Sequence, residues 1–188
     1  HDMITTMKRK IPGYTNQLPA RRDLWGRELR YESGIGKTYD AISPLYVSQH
    51  EPEPIDEEMA KNDFFIGMPS KTMSIDGERV SLKNLPGAYS RYVELQGGTQ
   101  PSNMPSEGAE GLLDQYGDRT LLQVLNDVVT GQDELSDVYE EQSDPEEKRD
   151  VLQKIVRKYR KAARQVVLDE YPQIGEMAER KKEARIEQ

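Results

Sequence analysis

The stretch from Ser143 to Tyr171 reads SDPEEKRDVLQKIVRKYRKAARQVVLDEY, and it decides the fold class. Ser143 or Asp144 supplies a helix cap, and Pro145 occupies a first helical position, where a missing N–H leaves no bond unmade. Glu146 and Glu147 face the positive end of the helix dipole. Val151, Leu152, Ile155, Val156, Tyr159, Ala162, Ala163, Val166 and Val167 recur at the three-and-four spacing of one buried face. Lys154, Arg157, Lys158, Arg160, Lys161 and Arg164 fall on the opposite face. Tyr171-Pro172 ends the run, because a residue before proline avoids the α region. The spacing predicts one long amphipathic helix over 144–171, hence a mainly α chain in which shorter helices cover its apolar side.

Shorter elements surround it. Asp118 is expected to cap a helix carrying Leu121, Leu122, Val124, Leu125, Val128 and Val129 and ending at Gly131, with Leu121, Leu125 and Val128 facing Ile155 and Val166. Leu112–Tyr116 reads as a helical turn or two, and Leu135, Val138 and Tyr139 mark another short helix. Upstream, Asp76-Gly77 is the dipeptide that fits a type I′ turn between Lys71–Ile75 and Glu78–Leu82, a β-hairpin. Asp56 is placed as the cap of a short helix, and Asn84 as the cap of one that buries Tyr89, Tyr92 and Val93 and stops at Gly97-Gly98. Beyond Pro172 a weak stripe of Ile174, Met177, Ala178 and Ile186 describes a marginal helix in need of a neighbour.

The first fifty residues lack either period and are broken by Pro12, Gly13, Pro19, Gly26, Gly34, Gly36 and Pro44. They nevertheless hold five of the thirteen aromatics, too many for a disordered tail. An extended arm is expected, one that lays Tyr14, Arg21, Arg22, Leu24, Trp25 and Tyr31 onto another surface, a partner's or its own domain's. The division is then 1–50, an extended docking arm; 51–98, a short helix, hairpin and helix; and 99–188, an acidic loop and helical module.

The chain of 188 residues is 35% hydrophobic and 32% charged, a thin core for one domain. It has no cysteine, so neither a disulfide framework nor a thiolate metal site, in keeping with a cytosolic or intravirion history. No apolar run approaches the roughly 20 residues of a membrane helix. The start His1-Asp2-Met3, without initiator or signal pattern, suggests processing or a longer parent polypeptide. The net charge of −8 conceals a segregation. Residues 105–147 hold thirteen acids and one base, Arg119, whereas 148–168 hold eight bases and one acid, Asp150. Such sorting predicts internal pairing between the acidic stretch and the basic helix face.

Chemistry is sparse. Ser33-Gly34-Ile35-Gly36-Lys37-Thr38 lacks the first glycine of a P-loop, Tyr31 standing in its place, and has no buried strand before it. His1 and His50 have no ligand or nucleophile at a useful spacing, and the carboxylates crowd an exposed stretch that desolvates no chosen pair. Neither cofactor, metal nor catalytic residues are expected, and the chain reads as non-enzymatic. The sharpest electrostatic feature is the basic helix face. Lys154, Arg157, Lys158, Lys161 and Arg164 could follow a phosphate backbone, or be solvated or internally paired.

Several patterns in order carry a resemblance: Ile11-Pro-Gly-Tyr14, Leu18-Pro-Ala-Arg-Arg-Asp-Leu-Trp-Gly26, Ser43-Pro-Leu45, Val80-Ser-Leu82 with Tyr89-Ser-Arg-Tyr92-Val-Glu-Leu95, and Ile155-Val-Arg-Lys-Tyr159. Together, over about residues 8–172, the chain resembles the C-terminal region of very large polyvalent proteins of tailed bacteriophages. It departs at Leu85-Pro-Gly-Ala-Tyr89, where that family places acidic residues after the proline. The resemblance implies a virion protein, internal or ejected with the DNA, whose enzymatic domains lie elsewhere on the long polypeptide. It implies as partners other virion proteins (portal, tail or internal ones) or further copies of itself. Packaged DNA, met by the basic helix face, is the alternative.

Overall fold

A computed structural model describes residues 21–29 and 51–186. In chain order its elements are α1 (Pro54–Lys61), β1 (Thr72–Ile75), β2 (Glu78–Ser81), α2 (Ala88–Gly98), α3 (Glu107–Tyr116), α4 (Leu121–Val129), α5 (Ser136–Glu140), α6 (Pro145–Glu170) and α7 (Gln173–Ile186). Helices therefore dominate, with one two-stranded antiparallel sheet among the described residues. The expected fold class holds. The stretch that resembles a P-loop, both histidines, Tyr14 and Tyr31 lie outside the described residues.

Helix α6 is the axis on which the rest is laid. Asp144 caps it by accepting the Glu146 N–H at 2.7 Å, and Tyr171 closes it. Leu152, Ile155, Val156, Tyr159, Ala162, Ala163, Val166 and Val167 are all buried. Helices α2, α3, α4 and α5 pack along it. Ile155 and Val166 share a continuous core with Leu121, Leu125 and Val128, as the apolar spacing predicts. Where α3 crosses α6, a side chain at Gly108 would have its Cβ only 3.3 Å from the Cβ of Ala162, so two small residues set the distance between these helices. The buried Tyr159 hydroxyl donates to the Arg119 carbonyl at 2.6 Å and ties α6 to the start of α4.

The hairpin has the turn its sequence demands. Asp76 and Gly77 both take positive φ, 49° and 86°, which is the type I′ geometry. Ile75 pairs with Glu78 and Met73 with Val80, and Met73, Val80 and Leu82 are buried on one side. The C-terminal stripe finds its neighbour here: α7 rests on β2 with Ile174 and Ala178 buried. Lys181 donates to the Arg79 carbonyl at 2.6 Å, and Arg185 pairs with Glu78 at 2.9 Å. Ile186 stays exposed.

Several helix starts differ from expectation, each because a better-placed oxygen takes the cap. Thr120, not Asp118, caps α4: its hydroxyl accepts from the Gln123 N–H while the Gln123 side chain accepts from the Thr120 N–H. Asp118 is engaged elsewhere, accepting the Ser102 N–H and hydroxyl at 2.9 and 2.8 Å. In α1 the capping residue is Glu53; Asp56 sits three residues in and accepts the Glu53 N–H. Asn84 ends a short 3-10 turn rather than starting α2, which begins after Gly87 in the left-handed region. Helix α3 starts at Glu107, earlier than the apolar residues Leu112–Tyr116 suggest.

Candidate docking surfaces

The arm meets its surface within the chain. Residues 21–29 form a tight turn closed by an antiparallel bridge between Arg22 and Glu28. Trp25 is 3% exposed and joins the main core, and its indole N–H donates to Asp56 at 3.3 Å. The amide of Gln96, itself buried, donates to the Leu24 carbonyl at 2.8 Å and accepts from Arg160 on α6 at 2.9 Å. Arg22 pairs with Glu94 at 3.1 Å, and Arg27 bridges Asp23 and Glu53 at 2.7 and 2.9 Å. The seat itself is made by glycine. A Cβ on Gly97 would lie 2.5 Å from the Trp25 carbonyl carbon, and one on Gly26 would lie 2.9 Å from the Gly98 nitrogen. Gly97 and Gly98 belong to the last turn of α2, and their bare backbone lets the Trp25–Gly26 turn lie directly against it.

Of the two surfaces expected, a partner's or its own domain's, Arg22, Leu24 and Trp25 rest on the second, where α2 and α1 offer the pocket, the amide and the carboxylate. Arg21 is exposed, with its carbonyl accepting the Leu29 N–H. The signal in the sequence was Gly97-Gly98, which marks a helix end and, equally, a site of close backbone approach.

A second knot lies where α1, α5 and α6 converge. The Glu58 carboxylate accepts from the Tyr139 hydroxyl at 2.9 Å and from Asn62 at 2.8 Å, and pairs with Lys148 at 3.4 Å. Burial raises its pKa, but the hydrogen bonds from Tyr139 and Asn62 and the charges of Lys61 and Lys148 outweigh this and leave it below the ordinary carboxylate value. A carboxylate depressed in the folded state contributes stability above its unfolded pKa of about 4.3 and loses that contribution as pH falls through the folded value. Glu58→Gln is therefore expected to destabilise the chain at pH 7, with the gap to wild type narrowing below about pH 4.5. Denaturant titrations across that range check it; a gap that stays constant to pH 3 would remove Glu58 from the acid response.

The charges expected to pair across the chain do not. Among the described residues, no acid of 105–147 forms an ion pair with a base of 148–168. The acidic stretch pairs with its own base: Arg119 holds Asp127 at 2.6 Å and Asp133 at 2.8 Å. Burial lowers the Arg119 pKa, but the bonds from these two carboxylates outweigh it and the guanidinium is shifted up. On α6, Arg160 and Arg164 donate to the carbonyls of Gly67 and Ser74, and Lys158 to Gln115 and over the ring of Tyr116. Arg160, burdened by burial, has its pKa pushed down. Lys154, Arg157 and Lys161 remain exposed, without ion pair or hydrogen bond among the described residues. The five predicted bases thus divide into two that brace neighbouring segments and three that face solvent.

Among the described residues a shallow cleft of about 540 Å³ is lined by Asp114, Tyr116, Arg119, Asp133, Glu134 and Leu135. Its arginine is already engaged by two carboxylates. Among the described residues, no three histidines or carboxylates stand together as a metal would need. No helix there is long and apolar enough to cross a membrane.

No family model, curated protein or solved structure matches this chain. What remains to indicate function is the surface. Its marked feature is charge: eleven exposed acids from Glu107 to Glu147 have no ion pair among the described residues, and neither do Lys154, Arg157 and Lys161 on α6.

Proposed function

We propose that this chain is a non-enzymatic docking segment of a tailed-bacteriophage virion protein, the C-terminal part of a large internal or ejection protein. It is made in the host cytoplasm, carried in the particle, and binds neighbouring virion proteins or further copies of itself. The observation that supports docking is the exposed stripe of Lys154, Arg157 and Lys161 on a long helix, without an ion pair among the described residues. Charges held apart in one molecule are available to another and give specificity and encounter rate. Tyr14 and Tyr31, on the arm outside the described residues, supply further aromatic anchors.

Mass spectrometry of purified particles should find peptides of this chain, and Lys154→Gln/Arg157→Gln/Lys161→Gln should lower their abundance several-fold. Unchanged incorporation would sink the docking role of the stripe.

A second reading is favoured by the same three bases: contact with packaged DNA. It predicts an affinity falling with salt at a log–log slope of about −0.9 per neutralised phosphate. With a net charge of −8, binding to duplex DNA at physiological salt is expected to be negligible.

A further inference from the structure

Lys154, Arg157 and Lys161 stand at intervals of three and four along α6, spanning about 10 Å at 1.5 Å per residue. Asp137, Glu140 and Glu141 lie on or at the end of α5, with Glu134 in the turn that precedes it. The backbone is helical from Leu135 (φ −84°, ψ −4°) to Glu141 (φ −62°, ψ −22°), so Asp137, Glu140 and Glu141 share one face of α5. Ser136 and Tyr139 are buried and fix the inward side of α5, while Glu134, Asp137, Glu140 and Glu141 are all exposed and have no ion pair among the described residues. Val138, 45% exposed, sits among these acids and adds apolar area to the face.

The two faces cannot meet within one molecule. Helix α5 packs on α6 through Tyr139, whose ring lies 4.9 Å beneath the Lys148 ammonium. Lys148 continues into Leu152, Ile155 and Tyr159 at helical spacing, which is the core side of α6. The stripe of Lys154, Arg157 and Lys161 occupies the opposite side. Two exposed surfaces of opposite charge therefore point away from each other.

Resting on the docking reading above, we infer that this chain associates head to tail with copies of itself, the basic stripe of α6 in one copy receiving the acidic face of α5 in the next. The contact joins two different patches, so it is heterologous and propagates. Exposed charges act over a Debye length of roughly 10 Å at 0.1 M salt, so the local match outweighs the repulsion of the whole chains. A DNA duplex fits the stripe less well. It meets a chain of net charge −8 with an unbroken row of phosphates, whereas the α5 face brings a few carboxylates and the apolar side of Val138.

Sedimentation velocity of the 188-residue chain tests this. At about 0.1 M salt the average mass should rise with concentration to at least twice the monomer's, and about 1 M salt, with a Debye length of about 3 Å, should return it to the monomer. Lys154→Gln/Arg157→Gln/Lys161→Gln alone, and Glu134→Gln/Asp137→Asn/Glu141→Gln alone, should each stay monomeric with unchanged melting, all six positions being exposed. Mixed, the two variants should form a one-to-one dimer and stop there, since each retains one intact face. A wild-type chain monomeric at about 0.1 M salt, a stripe variant that still self-associates, or a mixture that stays monomeric would overturn the inference. So would a monomeric chain whose stripe shifts duplex DNA. If the chain is monomeric and the stripe variant is still excluded from particles, self-association falls and the docking reading stands; normal incorporation sinks both.

Discussion

Trp25→Ala is expected to cost about 3–5 kcal/mol of unfolding free energy, the range for removing a buried aromatic. The ring is 3% exposed, and its removal empties a site roofed by backbone that cannot collapse, since Trp25 and Gly97 already touch. The Asp56 carboxylate also loses the indole donor. At about 2–4 °C per kcal/mol for a domain of this size, the melting temperature should drop by about 10 °C. An arm that docked only on a partner would give a change near zero, so a loss below about 1 kcal/mol would return Trp25 to the list of partner contacts. Gly97→Ala gives a second handle. Its Cβ would stand 2.5 Å from the Trp25 carbonyl carbon, a backbone clash that must lift the turn. Since Trp25 is the chain's one tryptophan, its fluorescence reports the displacement as a red shift. An unshifted spectrum in Gly97→Ala would mean that the turn does not sit where the glycines allow.

Ile155→Ala is expected to cost about 2–5 kcal/mol and Ile155→Val about 0.5–1.5. Ile155 is 1% exposed and lies in the core shared by α6 and α4. Alanine is the better helix former, so the local helix gains slightly and the loss comes from the cavity alone. The exposed Lys154→Ala on the same helix should stay within about 0.5 kcal/mol, which separates packing from helix propensity. Denaturant unfolding of the three variants checks the series. Equal effects at 154 and 155 would mean that α6 is not the packed axis of the fold.

Some of this molecule is legible in its residues alone. The three-and-four spacing of α6, its proline start and its proline stop are local chemistry, and the helix spans Pro145–Glu170 as that chemistry requires. The Asp76-Gly77 turn is equally local, since positive φ at both positions suits few other pairs. The caps were only half legible. Thr120 and Asp118 are both sound capping residues two positions apart, and the choice fell to Thr120 because Ser102, distant in sequence, claims Asp118. Helix α7 has too weak a stripe to stand alone, and the strand β2 beneath it supplies the burial.

Long-range geometry decided the rest. Trp25 and the Gly97-Gly98 pair are more than seventy residues apart, and no periodicity links an aromatic to the bare backbone that will seat it. The charge segregation was plain in the sequence, and pairing across it was the natural expectation. Folding gave that expectation no chance, because α6 turns its apolar side to the other helices and its stripe to solvent. Composition determined that the charges are sorted; tertiary packing alone determined that they face away from each other.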